Sequence, residues 1–257
     1  MTHYPAFFGR PPGFNLPGFE MDAARFAWIF ALLAASVLVA AGFGAQFGLW
    51  DFRFGFQLVR WSEYAGIAAI VLALIGLVVP GWRRGRAPLL LATFVVGLAV
   101  AWFPWQWQQN ARGVPPINDI TTDTENPPVF LTLIPARKGL SVPTIYPGAA
   151  TAEQQKRGYP DLKPLDLPVP PATAFARAVD AAKSMGWQIV ATEPTTGRIE
   201  ATAKTPWFGF KDDVVVRVAP AGTGSRIDVR STSRVGRGDL GTNAKRIRAY
   251  LDKLAHA

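Results

Sequence analysis

Residues 26–49 read FAWIFALLAASVLVAAGFGAQFGL, and this run contains no charged side chain. A helix needs roughly 17 to 25 mostly apolar residues to cross the hydrocarbon core of a bilayer, so the run is long enough to do so. Residues 65–79 and 88–103 form two further apolar runs, at or just under that length. The pattern predicts three membrane-spanning helices in the front part of the chain.

Tryptophan flanks these runs. The positions are Trp50, Trp61, Trp82, Trp102, Trp105 and Trp107. Tryptophan settles at the headgroup level of a bilayer, where its ring meets apolar chains and its N–H meets water. A buried helix of a soluble core can imitate one apolar run, but three runs with such flanks favour a membrane protein.

The arginines predict the orientation. Residues 81–86 read GWRRGR, whereas the connection 51–64 carries equal numbers of acidic and basic side chains. Basic connections stay in the cytoplasm. We therefore predict a multi-pass protein of the bacterial inner membrane, with a cytoplasmic N-terminus and a periplasmic C-terminal domain.

Two alternatives concern the spans. The second and third runs are short enough to dip into the membrane together as a hairpin, which leaves the side of the C-terminal domain unchanged. The first run, with small residues at 40–42, also resembles a cleaved signal peptide, but its leader is long and an uncleaved anchor is the preferred interpretation. The leader, residues 1–25, mixes proline, glycine and phenylalanine, and we expect it at the membrane surface.

Composition excludes several kinds of site. The chain has no cysteine, and its histidines are His3 and His256, near the termini. Disulfides, thiolate metal sites, a Ser-His-Asp triad and a histidine-ligated zinc site are therefore not expected. We predict no metal and no cofactor. The net charge of +9 is high, but nucleic acid is not an expected partner for a domain outside the cytoplasm.

The rest of the chain, residues 111–257, is predicted to form one α+β domain. Its first part, residues 111–171, is rich in proline and is expected to wrap the domain in extended form, with a short strand at 129–134. Sharper patterns follow: helices at 172–185 and 243–254, and strands at 187–191, 198–203, 213–219 and 226–233. This order predicts an antiparallel sheet packed with two helices on one side. The predicted core consists of Phe175, Val179, Trp187, Ile189, Ile199, Val214, Val216, Ile227, Val229, Ile247 and Leu251.

Two motifs carry a family resemblance. Residues 116–123 read PINDITTD and are followed by NPP at 126–128, and residues 233–243 read SRVGRGDLGTN and run into RIR at 246–248. These stretches resemble the two signatures of the DUF1499 family. The resemblance runs from about residue 117 to the C-terminus and implies the domain and its boundaries. The family name records an undefined function, and the cysteines of many smaller members are absent here.

The second motif is a candidate anion site. A glycine-rich loop that enters a helix exposes unpaired N–H groups and the positive end of the helix dipole, and arginines add charge-assisted bonds. The candidate residues are Arg237, Gly238, Asp239, Gly241, Asn243 and Arg246. The alternative is structural: the glycines allow a tight turn, Asp239 bridges locally, and Thr242 or Asn243 caps the last helix.

A second candidate is acidic. Asp119, Asp123 and Glu125 offer paired carboxylates for acid/base catalysis, with Tyr159 or Arg246 assisting. The alternative is that these side chains cap turns, because the loop pattern of a calcium site is missing.

Two surfaces complete the candidates. On the last strand Arg226, Asp228 and Arg230 face one way, with Arg217 beside them, and we expect a solvated face or a contact with anionic headgroups, envelope polymers or an acidic partner. Residues 207–210, WFGF, are expected either to plug the sheet edge into the core or to contact lipid or a partner.

Together these observations predict a membrane protein that binds an anionic lipid, a polymer or an envelope protein without catalysis. The alternative is a hydrolase-like envelope enzyme that uses Asp119, Asp123 or Glu125.

Overall fold

The computed structural model describes residues 22–256. The first helices are α1 (Ala23–Gln46), α2 (Phe52–Val78), the short α3 (Pro80–Arg83) and α4 (Ala87–Arg112). Helices α1, α2 and α4 are 24, 27 and 26 residues long, and each is long and apolar enough to cross a membrane. The prediction of three candidate spans is confirmed. The leader prediction concerns mainly residues 1–21, which lie outside the described residues.

Small residues let the three long helices pack closely. A Cβ atom placed on Gly66 of α2 would lie 2.9 Å from the carbonyl oxygen of Gly97 on α4, and the reverse distance is also 2.9 Å. Helices in lipid associate through close backbone approach of this kind, because the hydrophobic effect provides no driving force for their association there. At one end of the bundle Arg86 lies 2.8 Å from Asp22, so the basic connection and the start of α1 share that end.

The domain adds six strands and four helices. They are β1 (Asp119–Thr121), α5 (Ile134–Arg137), α6 (Ala149–Gly158), β2 (Leu165–Leu167), α7 (Pro171–Ser184), β3 (Gln188–Glu193), β4 (Arg198–Lys204), β5 (Lys211–Ala221), β6 (Gly224–Ser233) and α8 (Thr242–Ala255). The sheet order is β1-β6-β5-β4-β3, and β2 also pairs with β6. Every pairing is antiparallel. This confirms the predicted fold class of an antiparallel sheet with helices.

One face of the sheet carries the apolar core. Side chains alternate along β5 and β6, so Val214, Val216, Ile227 and Val229 point to the same side. Helices α7 and α8 cover that side, and Tyr250 of α8 stacks on Trp187 with ring centroids 4.8 Å apart. The predicted core residues all lie in this cluster, fully or partly buried.

The opposite face is polar and is covered by the proline-rich segment. Arg230 is only 1% exposed and pairs with Asp119 at 2.7 Å. Its guanidinium also donates to the carbonyls of Pro128 and Thr144, at 3.2 and 2.9 Å. The expectation of a solvated face is therefore wrong for Asp228 and Arg230, both buried. Residues 111–171 were expected to wrap the domain, but the sequence did not indicate that they cover this face.

The same segment corrects a second expectation. Residues 129–134 form no strand. The backbone N–H groups of Leu131, Thr132 and Leu133 instead donate to the carboxylate of Glu200 on β4, at 2.8 to 3.0 Å. A buried carboxylate satisfies these donors, so the segment needs no neighbouring strand. Helices α5 and α6 and the three-residue strands β1 and β2 were not predicted, since residues 111–171 were expected to be extended.

Candidate functional site

The loop between β4 and β5 fastens the domain to the membrane helices. The indole N–H of Trp207 donates to the carbonyl of Val39 on α1 at 3.1 Å. The ring of Phe208 lies 4.9 Å from that of Phe56 on α2, and Phe210 lies 5.5 Å from Phe52. The expectation that residues 207–210 plug the sheet edge into the core therefore needs correction, since their aromatic side chains pack against α1 and α2. Contact of this loop with lipid or a partner stays a prediction.

Glycines on the spans make room for this loop. A Cβ atom on Gly42 would lie 2.3 Å from Trp207, and one on Gly55 would lie 2.8 Å from Phe208. Both distances are below what real side chains tolerate, so larger residues there would displace the loop. The contact between domain and spans thus depends on two glycines of α1 and α2.

A cleft of about 800 Å³ lies between the spans and the domain. One wall consists of the N-terminal part of α2 and the C-terminal part of α4. The other consists of the β4–β5 loop and the glycine-rich loop before α8. The aromatic lining consists of Phe52, Phe56, Tyr64, Phe103, Trp107, Trp207, Phe208 and Phe210. A cleft of this size, mostly apolar with a few polar groups, is the usual form of a small-molecule site.

Within residues 22–256, four charged residues line this cleft. Arg60 of α2 makes no ion pair or hydrogen bond through its side chain within residues 22–256, although Glu63 is one turn away. Glu63 accepts a hydrogen bond from the Gln108 amide at 2.9 Å. Asp212 pairs with Arg246 at 2.6 Å. The fourth is Asp239, which accepts two backbone N–H groups. Among the described residues of the lining, Arg60 is therefore the one charged side chain without a hydrogen bond or an ion pair.

Asp239 organises the glycine-rich loop. Its carboxylate accepts the backbone N–H groups of Gly241 and Asn243 at 2.9 and 2.6 Å, so it occupies donors that the sequence offered to an external anion. Burial raises the pKa of the Asp239 carboxyl, although the bonds from Asn243 and Gly241 act in the opposite direction. Leu240 and Gly241 both have positive φ, 57° and 77°, so the chain turns sharply before α8.

The other members of the predicted anion site have separate environments. Arg246 pairs with Asp212 and donates to Ser231 at 3.0 Å and to Asn243. Arg237 is exposed, and its side chain has no partner in the described part of the chain. Gly238 lines the cleft. The loop thus lies at the edge of the cleft, where Arg246 is bonded to neighbouring side chains and Arg237 has no such bond in the described chain. Anion binding by this loop stays a prediction.

The two sequence motifs meet beside this loop. The Asn243 amide donates to the carbonyl of Asn118 at 3.1 Å. A Cβ atom on Gly238 would lie 3.3 Å from Pro116. Strand β1 begins immediately afterwards and pairs with the end of β6. The motifs therefore form one corner of the domain, and that corner faces the spans.

The acidic group lies elsewhere. Asp119 pairs with Arg230, Asp123 with Arg217 at 3.2 Å, and Glu125 with Lys156 at 2.5 Å. None of the three lines the cleft. The hydrogen bond from Lys156 lowers the pKa of Glu125. Asp123 also accepts the N–H groups of Glu125 and Asn126, which is the turn capping that the sequence offered as the alternative.

Tyr159, named as a possible assistant in catalysis, is buried. Its hydroxyl has no hydrogen-bond partner among the described residues and would lie 3.4 Å from a Cβ atom on Gly241. Burial raises the pKa of Tyr159 to about 12. Within residues 22–256 no cluster of three histidine or carboxylate side chains is placed to hold a metal ion.

Sequence reasoning missed the residues of the cleft wall. Arg60, Glu63 and Gln108 lie where α2 and α4 extend past their apolar runs. One signal for this wall was present in the connection 51–64. Phe52, Phe56 and Val59 have helical spacing, so a helix places all three side chains on one side.

Residues 119–254 match the family described as "Protein of unknown function (DUF1499)". The chain belongs to the DUF1499 family. The match covers more than half of the chain and includes most of both motifs, so the resemblance is confirmed. The DUF1499 description assigns no activity.

Other comparisons add little to the DUF1499 assignment. No curated protein matches the chain. The crystal structure of Ara h 8.0201 matches with 18% identity over 37% of this chain and 96% of that chain, at a TM-score of 0.29. The crystal structure of TTHA0849 from Thermus thermophilus matches with 11% identity over 36% and 94%, at a TM-score of 0.23. Such scores carry no argument about this DUF1499 protein.

Proposed function

We propose that this protein binds a membrane phospholipid in the cleft between its spans and its domain. The acyl chains lie along the aromatic wall, and the phosphate group pairs with Arg60. The observation that carries the proposal is the cleft itself, about 800 Å³ in volume, lined by aromatic rings and by an arginine without a partner in residues 22–256. An arginine in such a setting favours a phosphate, which it binds through several N–H groups.

The height of the cleft supports a lipid as the occupant. The apolar run of α2 ends near residue 65, and residues 52–64 continue the helix for about 18 Å at 1.5 Å per residue. The exposed Trp61, Trp102 and Trp105 lie near the same end, and tryptophan prefers the headgroup level. A phospholipid of the adjacent leaflet therefore has its phosphate near the height of Arg60.

The proposal includes the location of the domain. We infer that the protein resides in the bacterial inner membrane, with the N-terminus in the cytoplasm and the domain in the periplasm. The support is the concentration of arginine in residues 81–86, at the bundle end opposite the domain. On this orientation the cleft opens to lipids of the outer leaflet.

The anion site of the glycine-rich loop becomes part of the same proposal. Gly236 and Gly238 line the cleft on either side of Arg237, so this second free guanidinium borders the volume that Arg60 enters. We propose no bond-breaking step. Each carboxylate of the acidic group has a cation partner and lies outside the cleft, and so the enzyme interpretation has no supporting geometry.

The test uses the full chain purified in a mild detergent and native mass spectrometry with added phospholipid. We expect a single retained lipid. Substitution Arg60→Gln should weaken binding about tenfold, because it removes a charge-assisted bond worth about 1.5–3 kcal/mol. Arg112→Gln is the matched control. Arg112 is exposed at the C-terminal end of α4, on the domain side of the bundle, and does not line the cleft. Equal loss in both variants, or no retained lipid, would contradict the proposal.

A photo-crosslinking amino acid in place of Phe56 locates the lipid. Phe56 lines the cleft and should form an adduct with phospholipid in membranes. The same amino acid in place of Leu131, exposed on the proline-rich segment, should not. An adduct only at Leu131 would exclude the cleft as the site.

A further inference from the structure

The charges of the cleft distinguish among phospholipid headgroups. Its described lining includes one basic residue, Arg60, and three acidic ones, Glu63, Asp212 and Asp239. Arg246 neutralises Asp212 through their ion pair. Of the remaining charges, Arg60 and the bordering Arg237 balance Glu63 and Asp239, which suits a headgroup without net charge. A headgroup with a net negative charge is therefore poorly matched, even though its phosphate suits Arg60.

Unused acceptor atoms indicate what the headgroup must supply. Glu63 receives the Gln108 N–H on Oε2, and its Oε1 accepts no hydrogen bond from residues 22–256. Asp212 is bonded to Arg246 through Oδ2, and its Oδ1 likewise has no donor in the described chain. A bound headgroup must therefore donate hydrogen bonds, because a carboxylate oxygen that loses water without a new donor is costly.

We infer that the cleft selects an aminophospholipid, whose headgroup carries a phosphate and a primary ammonium group. This inference rests on the proposed function. The phosphate pairs with Arg60, and the ammonium donates to the Glu63 side of the cleft. A primary ammonium has N–H donors and a positive charge. A choline headgroup has the charge without donors, and a glycerol headgroup has donors with a net negative charge, so each meets only one requirement.

The experiment compares phosphatidylethanolamine, phosphatidylcholine and phosphatidylglycerol with identical acyl chains on the full protein. We expect phosphatidylethanolamine to bind about tenfold more tightly than the other two, since one charge-assisted hydrogen bond accounts for such a factor. Free phosphoethanolamine should bind much more weakly than the lipid. Equal or tighter binding of the free headgroup would show that the site takes a soluble ligand, and would overturn both proposals.

Variants separate the headgroup inference from lipid binding itself. Glu63→Gln should weaken binding of phosphatidylethanolamine more than binding of phosphatidylcholine, because both headgroups lose the attraction to a negative charge but only the primary ammonium also loses a charge-assisted hydrogen bond. Glu153→Gln is the matched control, because Glu153 is exposed on α6. Equal binding of the three lipids, or a preference for phosphatidylglycerol, overturns the aminophospholipid inference and leaves the lipid site intact. If Glu63→Gln fails to fold, the ranking of lipids on the wild-type chain decides the question alone.

Discussion

Arg246 and Arg237 belong to one sequence motif, yet they have different physical roles. Arg246 is mostly buried and pairs with Asp212 at 2.6 Å, whereas Arg237 is exposed and free of partners in the described chain. Removing one member of a buried ion pair leaves the other charge without compensation. The two arginines are therefore a natural matched pair of variants.

We predict that Arg246→Ala destabilises the domain by about 3–5 kcal/mol, because Asp212 remains buried and unpaired. Arg237→Ala should change stability by less than about 0.5 kcal/mol, as surface substitutions usually do. Chemical denaturation of the full chain in detergent, monitored by near-ultraviolet circular dichroism, measures both. Equal stability of the two variants would show that the Arg246 pair contributes nothing to folding.

Asp213 predicts a dependence of stability on pH. Burial opposes its ionisation, but hydrogen bonds from Arg234, Arg137 and Thr202 prevail and lower the pKa of the carboxyl. A carboxyl with a lowered pKa in the folded state stabilises the fold above its unfolded pKa of about 3.9, and this contribution disappears as the pH falls through the folded value.

We therefore expect wild-type stability to fall with acid below about pH 4, near the unfolded pKa of an aspartate. Asp213→Asn should be less stable at neutral pH and should lose less stability on acidification than the wild type. Thermal unfolding at a series of pH values gives both slopes. Asp180→Asn, with an exposed carboxylate, should follow the wild type. A steeper acid dependence for Asp213→Asn would reverse the sign of the argument.

At the scale of elements, the β4–β5 loop joins two separate hydrophobic clusters into one structure. The aromatic side chains of this loop are absent from the core of the domain. Phe208 instead packs with Ala41 and Val59 of the spans. The loop therefore contributes to docking of the domain and not to its internal core.

We predict that Trp207→Ala loosens this docking while the domain stays folded. A cysteine pair reports on it, because the chain has no cysteine of its own. Gln46→Cys and Lys204→Cys place the thiols within reach of a short bis-maleimide, because the Gln46 Cγ and the Lys204 Cε lie 2.8 and 3.0 Å from the same point, the position of a Cβ atom on Gly209. Cross-linking should be fast in the parent pair and slower with Trp207→Ala. Trp105→Ala, on the exposed side of α4, should leave it fast, and an unchanged rate with Trp207→Ala would contradict the prediction.

The sequence predicted the elements whose pattern is complete within their own residues. Both hairpins and both long domain helices appear within about two residues of their predicted positions, because alternation and helical spacing are local signals. Strands β1 and β2 were missed since three residues carry no periodicity, and both pair with β6, which is far away in sequence. The expected strand at 129–134 failed because Glu200, a distant side chain, satisfies its backbone donors.

The candidate site likewise has one part that local sequence predicts and one part that depends on distant residues. The glycine-rich loop was predicted from its own residues. The cleft was not, because its walls come from α2, α4 and the β4–β5 loop, and only the tertiary structure brings them together. The sequence did not predict the amphipathic extension of α2, because residues 52–64 lie outside the apolar run and include charged side chains.

At the scale of the whole molecule, the prediction concerns which side of the membrane holds the domain. Arg83, Arg84 and Arg86 lie between the second and third spans, and positively charged connections stay inside. We expect a C-terminal alkaline phosphatase fusion to be active, and a fluorescent reporter that matures only in the cytoplasm to be dark. Replacing the three arginines by glutamate should scramble this pattern. A dark phosphatase with a bright reporter in the wild-type chain would reverse the orientation and the leaflet assigned to the cleft.

The buried pair of Asp119 and Arg230 has a consequence for biosynthesis. The two residues are 111 positions apart, and Asp119 emerges from the ribosome first. Until β6 has been made, the proline-rich segment has no sheet to cover and its carboxylate has no cation. The domain therefore matures only after β6 has been synthesised. A ribosome that stalls before Arg230 leaves an anchored, unfolded tail, and this is the form that quality-control proteases of the membrane would recognise and remove.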